Sequence, residues 1–160
     1  MRKLLVVSVV ILITAAAMSA TLGVMAGKEF GGRDRYYLGA QVTLGEALGL
    51  GIDVYYPISS FESAAEELSN AQIVEVDPGL FLSLKFSDMK IYAFVSPMII
   101  LDVQTMEYQM VPIDTLRGKL GVRFKAGIFS MFVEGITAFQ YSPFATSGVY
   151  GVQGGVSLGF

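Results

Sequence analysis

The chain of 160 residues contains no cysteine, no histidine and no tryptophan. Without Cys there are no disulfides, no thiolate catalysis, no thiolate metal site and no lipid-anchoring Cys near the N-terminus. Without His the commonest general base and the commonest transition-metal ligand are both missing. Charge is sparse, at 16% of residues. Of the 11 basic residues, two (Arg2 and Lys3) sit in an N-terminal leader, which leaves nine against 14 acidic residues, a net charge of −5. That balance argues against nucleic acid as a partner. Beyond the first thirty residues there is also no run long enough for a spanning helix. Yet 53% of the chain is hydrophobic, so the apolar surface has to be accommodated in some other way.

Residues 1–20 read as a cleavable signal peptide. Arg2 and Lys3 form its charged start, Leu4 to Ile13 is an apolar run broken only by Ser8, and small residues follow. Ala15-Ala16-Ala17 and Ala17-Met18-Ser19 both suit cleavage. The remaining residues, 21–160, are expected to form one domain.

What recurs through that domain is a period of two. In the last segment Tyr150, Val152, Val156 and Leu158 share one face with Phe160. Gly151, Gln153, Gly155, Ser157 and Gly159 share the other. Arg35–Gly45 sets Tyr36, Leu38, Ala40, Val42 and Leu44 against Arg35, Tyr37, Gly39, Gln41 and Thr43. Leu48–Ile58, Gly79–Phe86 and Leu116–Ala126 alternate in the same way, and Met131–Tyr141 does so less cleanly. Ile91–Val103 is apolar on both faces and contains Pro97, so its register stays open, and Leu22–Phe30 is the weakest pattern. Successive strand side chains point to opposite faces, so each segment reads as a strand with one greasy and one small, polar side.

Eight strands result, with connections near 31–34, 45–47, 59–78, 87–89, 104–115, 127–129 and 142–148. The second, fourth and sixth are short and the third and fifth are long. That alternation is the one required of an eight-stranded antiparallel up-and-down transmembrane β-barrel with short turns at one end. The long connection at 59–78 is expected to hold a short helix. Ser59 and Glu62 form a capping-box pair, and Phe61, Ala64, Ala65 and Leu68 share one face.

Alternation alone also fits a soluble barrel with its apolar face inward. Glycines favour the opposite arrangement. Gly39, Gly49, Gly51, Gly121, Gly151, Gly155 and Gly159 sit on the polar face, where a narrow eight-stranded lumen needs small residues beside large ones. The other face is nearly free of charge, as a lipid-facing band must be. Tyr36, Tyr56, Tyr141 and Tyr150 fall on that face at one set of strand ends, and Phe86, Phe124 and Phe160 at the other. Two such girdles bracketing an aliphatic band match a bilayer.

The closing Val156-Ser157-Leu158-Gly159-Phe160, with Tyr150 upstream, resembles the C-terminal sorting strand of bacterial outer-membrane β-barrels. The resemblance extends over the whole chain and is closest in plan to the small eight-stranded type, such as the OmpA membrane domain and OmpX. It implies location in a bacterial outer membrane, outer-membrane lipid as surroundings, and recognition of Tyr150, Val156, Leu158 and Phe160 by the barrel-assembly machinery.

Charged residues on the lumen face are Asp53, Lys85, Asp102, Arg117, Lys119, Arg123, Lys125 and Glu134. The 127–129 turn places Glu134 opposite Gly121 and diagonal to Lys119 and Arg123. Asp102 and Arg117 flank the fifth connection and could meet. A satisfied ion-pair network is the expectation, since buried charges need partners. Tyr37, Tyr55 and Phe81 also point inward, which favours a plugged barrel with a structural or surface-interaction role over a small ion-conducting pore. A soluble periplasmic barrel holding a lipophilic ligand is the other alternative. No enzyme activity, cofactor or metal is expected. A carboxylate hydrolase would have to use Asp53, Asp102 or Glu134, each with bases nearby, and Glu75 with Asp77 could at most hold a hard cation weakly.

Deleting Phe160 tests the sorting role. The deletion removes one interfacial aromatic, worth roughly 1.5–3 kcal/mol of burial, so refolding into detergent should stay near normal while assembly in cells fails. Lumen-facing Ser157→Thr should show neither defect. Wild-type export and assembly of the deletion, followed by immunoblotting of membrane fractions, would remove the sorting role.

Overall fold

The period of two survives in the structure as alternate exposure. Leu48, Leu50 and Ile52 stand in the open while Gly49, Gly51 and Asp53 between them are buried. The structure, a computed structural model, describes residues 19–111, 115–141 and 144–159. Most of the expected signal peptide, and Phe160, lie outside the described residues. No helix among the described residues is long and apolar enough to cross a membrane.

The elements, in chain order, are β1 (Ala20–Gly31), β2 (Arg35–Gly45), β3 (Leu48–Ile58), α1 (Ala64–Ser69), β4 (Ile73–Phe86), β5 (Met89–Pro97), β6 (Ile99–Asp102), β7 (Tyr108–Met110), β8 (Thr115–Ala126), β9 (Phe129–Tyr141) and β10 (Phe144–Gly159). Neighbours pair antiparallel, β1 with β10 as well as with β2, and β3 with β4, so the sheet closes on itself. With β5 and β6 counted as one interrupted strand, and β7 as a loop extension, the wall has eight strands. Crossing the ladders from Ala20 leads through Leu44, Leu50, Leu80, Val95, Gly118, Thr137 and Tyr150 back to β1 at Phe30, ten residues along. Ten residues of rise at about 3.3 Å, set against eight strand spacings of about 4.8 Å, correspond to a strand tilt of about 40°.

The apolar face points outward on every strand, as Leu22, Leu80, Leu120, Val133 and Val152 show. This overturns the alternative of a soluble barrel with a lipophilic interior. Tyr37, Tyr55, Phe81, Phe94 and Phe132 fill the inside, where all five are buried. The inward glycines make room for them. A Cβ on Gly155 would press on the Phe132 ring at 2.6 Å, and one on Gly121 would meet Tyr92 and Glu134 at 2.7 Å.

Three two-residue turns, Glu46–Ala47, Ser87–Asp88 and Gly127–Ile128, join the strands at one end. At the other end the strands run further than the sequence pattern indicates. β4 begins at Ile73 rather than Gly79, and β10 begins at Phe144 rather than after Gly148, with a register shift between Thr146 and Tyr150. β1, the weakest pattern, is fully paired along both edges. The open register of 91–103 resolves with Tyr92, Phe94, Ser96 and Met98 inward. Both of its faces read as apolar because the lumen itself takes aromatic side chains there. The strand breaks at Met98, and the pairs Val76↔Ile99 and Leu80↔Val95 on either side set Pro78 across from Pro97. Neither proline has an N–H to donate, which is why the ladder lapses at this rung.

The helix is shorter than its pattern. It starts at Ala64 with Ser63 as N-cap, so the Ser59–Glu62 capping box does not form. Glu67 takes over that role from inside the helix. Its carboxylate accepts from the Ser63 hydroxyl at 2.5 Å and from the Ser59 N–H at 2.9 Å. The Ser63 bond first, then that of Ser59, holds the Glu67 carboxyl below the usual carboxylate range. Tyr56 donates to the Glu67 carbonyl at 2.5 Å, and Phe61 meets the Tyr36 ring edge-on at 5.0 Å. Two tyrosines of the loop-end girdle therefore anchor the loop, while Tyr141 and Tyr150 stand exposed, as do Phe86 and Phe124 at the turn end.

The outward face predicts where charge is not tolerated. Leu120 lies at the centre of β8 and is 65% exposed. Leu120→Lys should lower stability by about 2–4 kcal/mol in phospholipid vesicles, measured by urea unfolding, because it puts an ammonium at the midplane. The same change at Met106, in the loop, should stay within about 0.5 kcal/mol.

Candidate functional site: the lumen charge network

Every inward charge faces a space only a few side chains wide, so each has to find its partner across the barrel. The pairing is arranged in layers. At the loop end, Arg117 from β8 reaches Asp77 at 2.6 Å and Glu75 at 2.9 Å on β4, and Glu29 at 3.1 Å on β1. Arg35 joins the same acids, Glu29 at 2.7 Å and Glu75 at 2.7 Å, and Arg33 meets Glu75 at 3.2 Å. Three guanidinium groups thus face three carboxylates. The Arg117 guanidinium also lies 4.6 Å from the centre of the Tyr55 ring, a geometry suited to cation–π attraction.

The middle layer is built on Lys119, which is fully buried. It pairs with Asp53 and lies 3.7 Å from Glu134. Glu134 also accepts from Tyr92 at 2.5 Å, from Gln41 at 3.3 Å and from Gln153. Tyr55 donates to Asp53 at 3.0 Å, and Tyr37 donates to Gln153 at 2.9 Å. Neutral donors therefore supply Glu134 with hydrogen bonds that a single ammonium cannot, whereas Asp53 receives Lys119 and Tyr55 on the same oxygen.

Below this lies Arg123, between the rings of Tyr92 and Phe132 at 5.3 and 5.2 Å. It donates to Gln41, which links it to Glu134, and to Thr21 at 3.0 Å. Among the described residues it has no direct carboxylate partner.

Of the eight charges anticipated in the lumen, the structure brings Asp53, Arg117, Lys119, Arg123 and Glu134 into these layers. Gly121↔Glu134 pair as the turn register requires. Lys85 and Lys125 instead stand exposed at the turn-end mouth. Asp102 does not meet Arg117. Its carboxylate accepts from the Gln104 and Thr105 N–H groups of its own turn, at 2.8 and 3.0 Å. Glu75 and Asp77 are turned onto Arg117 rather than toward a cation, and no group of three or more Asp or Glu among the described residues is placed to hold a metal ion. Asp53 and Glu134 share Lys119, whereas Asp102 lies apart at the end of β6.

Glu29, Arg33, Arg35, Glu75 and Asp77 are the members that sequence reasoning missed. Glu75 and Asp77 keep the odd parity of Gly79 and Phe81, a signal that continued past Pro78. Arg35 stood on the correct face but at a strand end.

No protein-family profile and no curated protein matches the chain. Solved structures do match in fold. A de novo designed transmembrane β-barrel aligns with a TM-score of 0.59 at 11% identity, covering 89% of this chain and 95% of that one. The N-terminal β-barrel domain of Pseudomonas aeruginosa OprF aligns with a TM-score of 0.60 at 8% identity, covering 89% and 97%. Neisserial surface protein A aligns with a TM-score of 0.54 at 9% identity, again covering 89% and 97%. At these identities the likeness is one of fold, that of the small eight-stranded outer-membrane β-barrels.

Removing one member of the loop-end layer should expose its coupling. Arg117→Met strands the buried Asp77 carboxylate and removes one partner each from Glu29 and Glu75, and should cost about 3–5 kcal/mol in vesicle unfolding. Asp77→Asn introduced into that variant should recover part of the loss. A double-mutant cycle coupling of more than about 1 kcal/mol is expected, and additive effects would refute the pairing.

Proposed function

We propose that this chain is an outer-membrane anchor whose lumen is plugged by its own side chains and whose loop end carries a structural or surface-interaction role. In this reading the protein is exported through a cleaved signal peptide, inserted by the barrel-assembly machinery and surrounded by outer-membrane lipid. It is not an enzyme and needs no cofactor. The observation that carries the proposal is the loop-end ion-pair layer. Arg117 spans from β8 to acids on β1 and β4, so three walls of the barrel are tied through the space a solute would need. Opening a path means separating buried charges, each costing several kcal/mol unless re-paired.

The loop end presents what a partner could use. Phe61 and Leu68 beside α1, and Met106, Tyr108 and Met110 in the β6–β7 hairpin, are exposed there. Single exposed apolar residues are ordinary, but several carried on two loops of one end favour contact with another surface.

Planar-bilayer recording of refolded protein tests the plug. Insertion without reproducible single-channel steps is the expected result. Discrete anion-selective steps that change on Arg123→Gln would establish the pore reading in its place. Recovery of mature protein from the aqueous periplasm without detergent would remove the outer-membrane location.

A further inference from the structure

The turn end of the lumen holds a cavity of about 270 Å³. Its basic lining is Lys85, Lys90, Arg123 and Lys125, and its acids are Glu46 and Asp88. Among the described residues none of the four cations takes part in an ion pair, and Lys90 donates to the Glu46 backbone carbonyl at 3.3 Å. Arg123 differs from the two buried cations above it. Arg117 and Lys119 each hold carboxylates directly, whereas Arg123 donates to the neutral oxygens of Gln41 and Thr21 and, among the described residues, to no carboxylate. It is 7% exposed, and its Nε has no hydrogen-bond partner. A buried guanidinium with a free donor, facing a cavity with excess positive charge, lacks an anion rather than a neutral group.

We infer that this cavity is a binding site for a small dianionic phosphate group, held by Arg123 with the three lysines around it. Four cations against two acids favour a dianion over a single carboxylate. A guanidinium fork and ammonium groups together suit the several acceptor oxygens of a phosphate. The ligand comes from solvent. The cavity opens inside the ring of strands, on the opposite side of the wall from Leu48, Phe86 and Phe124, which face lipid. Ser130, buried beside the cavity, supplies a hydroxyl at the same level. The inference does not depend on the plug, because the site lies below the ion-paired layers and is reached from the turn end.

The test is titration of inorganic phosphate into the full refolded barrel in dodecyl maltoside, which carries no phosphate. Low ionic strength is used so that screening does not mask the interaction. Binding is read by calorimetry and by the Arg123 side-chain Nε–H resonance. Saturable binding that shifts this resonance is expected, with at least a tenfold loss of affinity in Arg123→Gln, the scale of a charge-assisted hydrogen bond. Because Arg123 also packs between two rings, Lys85→Gln with Lys125→Gln serves as a second variant. Both lysines are exposed, so folding should persist while affinity falls about threefold or more. No saturable response in the wild type, or an affinity unchanged in both variants, would overturn the site. The titration is repeated in nanodiscs of phosphatidylglycerol and of phosphatidylcholine. Equal affinity in both supports a solvent-borne ligand. A resonance shift produced by phosphatidylglycerol alone, without added phosphate, would overturn that source in favour of a lipid headgroup.

Discussion

Everything in this molecule depends on closing the backbone ladder in a medium that offers no water to its N–H and C=O groups. A strand wall in lipid can have no edge, because each unsatisfied group costs several kcal/mol. β1 meets that requirement by pairing with β10 on one side and β2 on the other. Once the ring is closed with eight strands and a stagger of ten residues, its bore is set. The bore is only a few side chains wide, so whatever points inward has to be chosen as a packing unit.

The charge layers follow from that narrowness. A lumen lined only by apolar residues would leave the chain greasy on both faces, with nothing to decide which face meets lipid. Polar inward residues decide it, but an unmatched buried charge is then costly. The matching runs between strands distant in sequence, as from Arg117 to Glu29 or from Lys119 to Asp53. Register and electrostatics therefore constrain each other. A slip of one residue in any strand would turn its lumen charges toward lipid and its outward leucines into the lumen.

Much of this was legible from period alone. Strand number and the opposition of Glu134 to Gly121 need only parity and a two-residue turn, and the direction of the apolar face needs in addition the placing of glycines, charges and aromatics. What escaped did so for identifiable reasons. β1 is blurred because Lys28 lies on its outer face, where it reaches Asp34 at 3.1 Å and the Tyr36 ring. Glu75 and Asp77 were hidden behind Pro78, which reads as the end of a strand although here it only interrupts one ladder. Asp102 satisfied itself within its own turn, a local bond that parity cannot foresee. The helix start moved because Glu67, four residues beyond Ser63, competes for the role given to Glu62.

The two facing prolines, Pro78 and Pro97, divide the wall between β4 and the β5–β6 strand into two hydrogen-bonded zones. The lower zone belongs to the barrel. In the upper zone β6 and β7 can peel from Ile73–Val76 by breaking only their own rungs, while Glu75 and Val76 stay paired with Tyr55 and Val54 of β3. Local stability of this kind is separate from global stability. Glu75 is held there both by its pairing with β3 and by Arg33, Arg35 and Arg117. An electrostatic clasp thus reinforces backbone bonds at the loop end, and because Arg117 and Glu75 are buried it is loosened by salt far less than a surface pair would be.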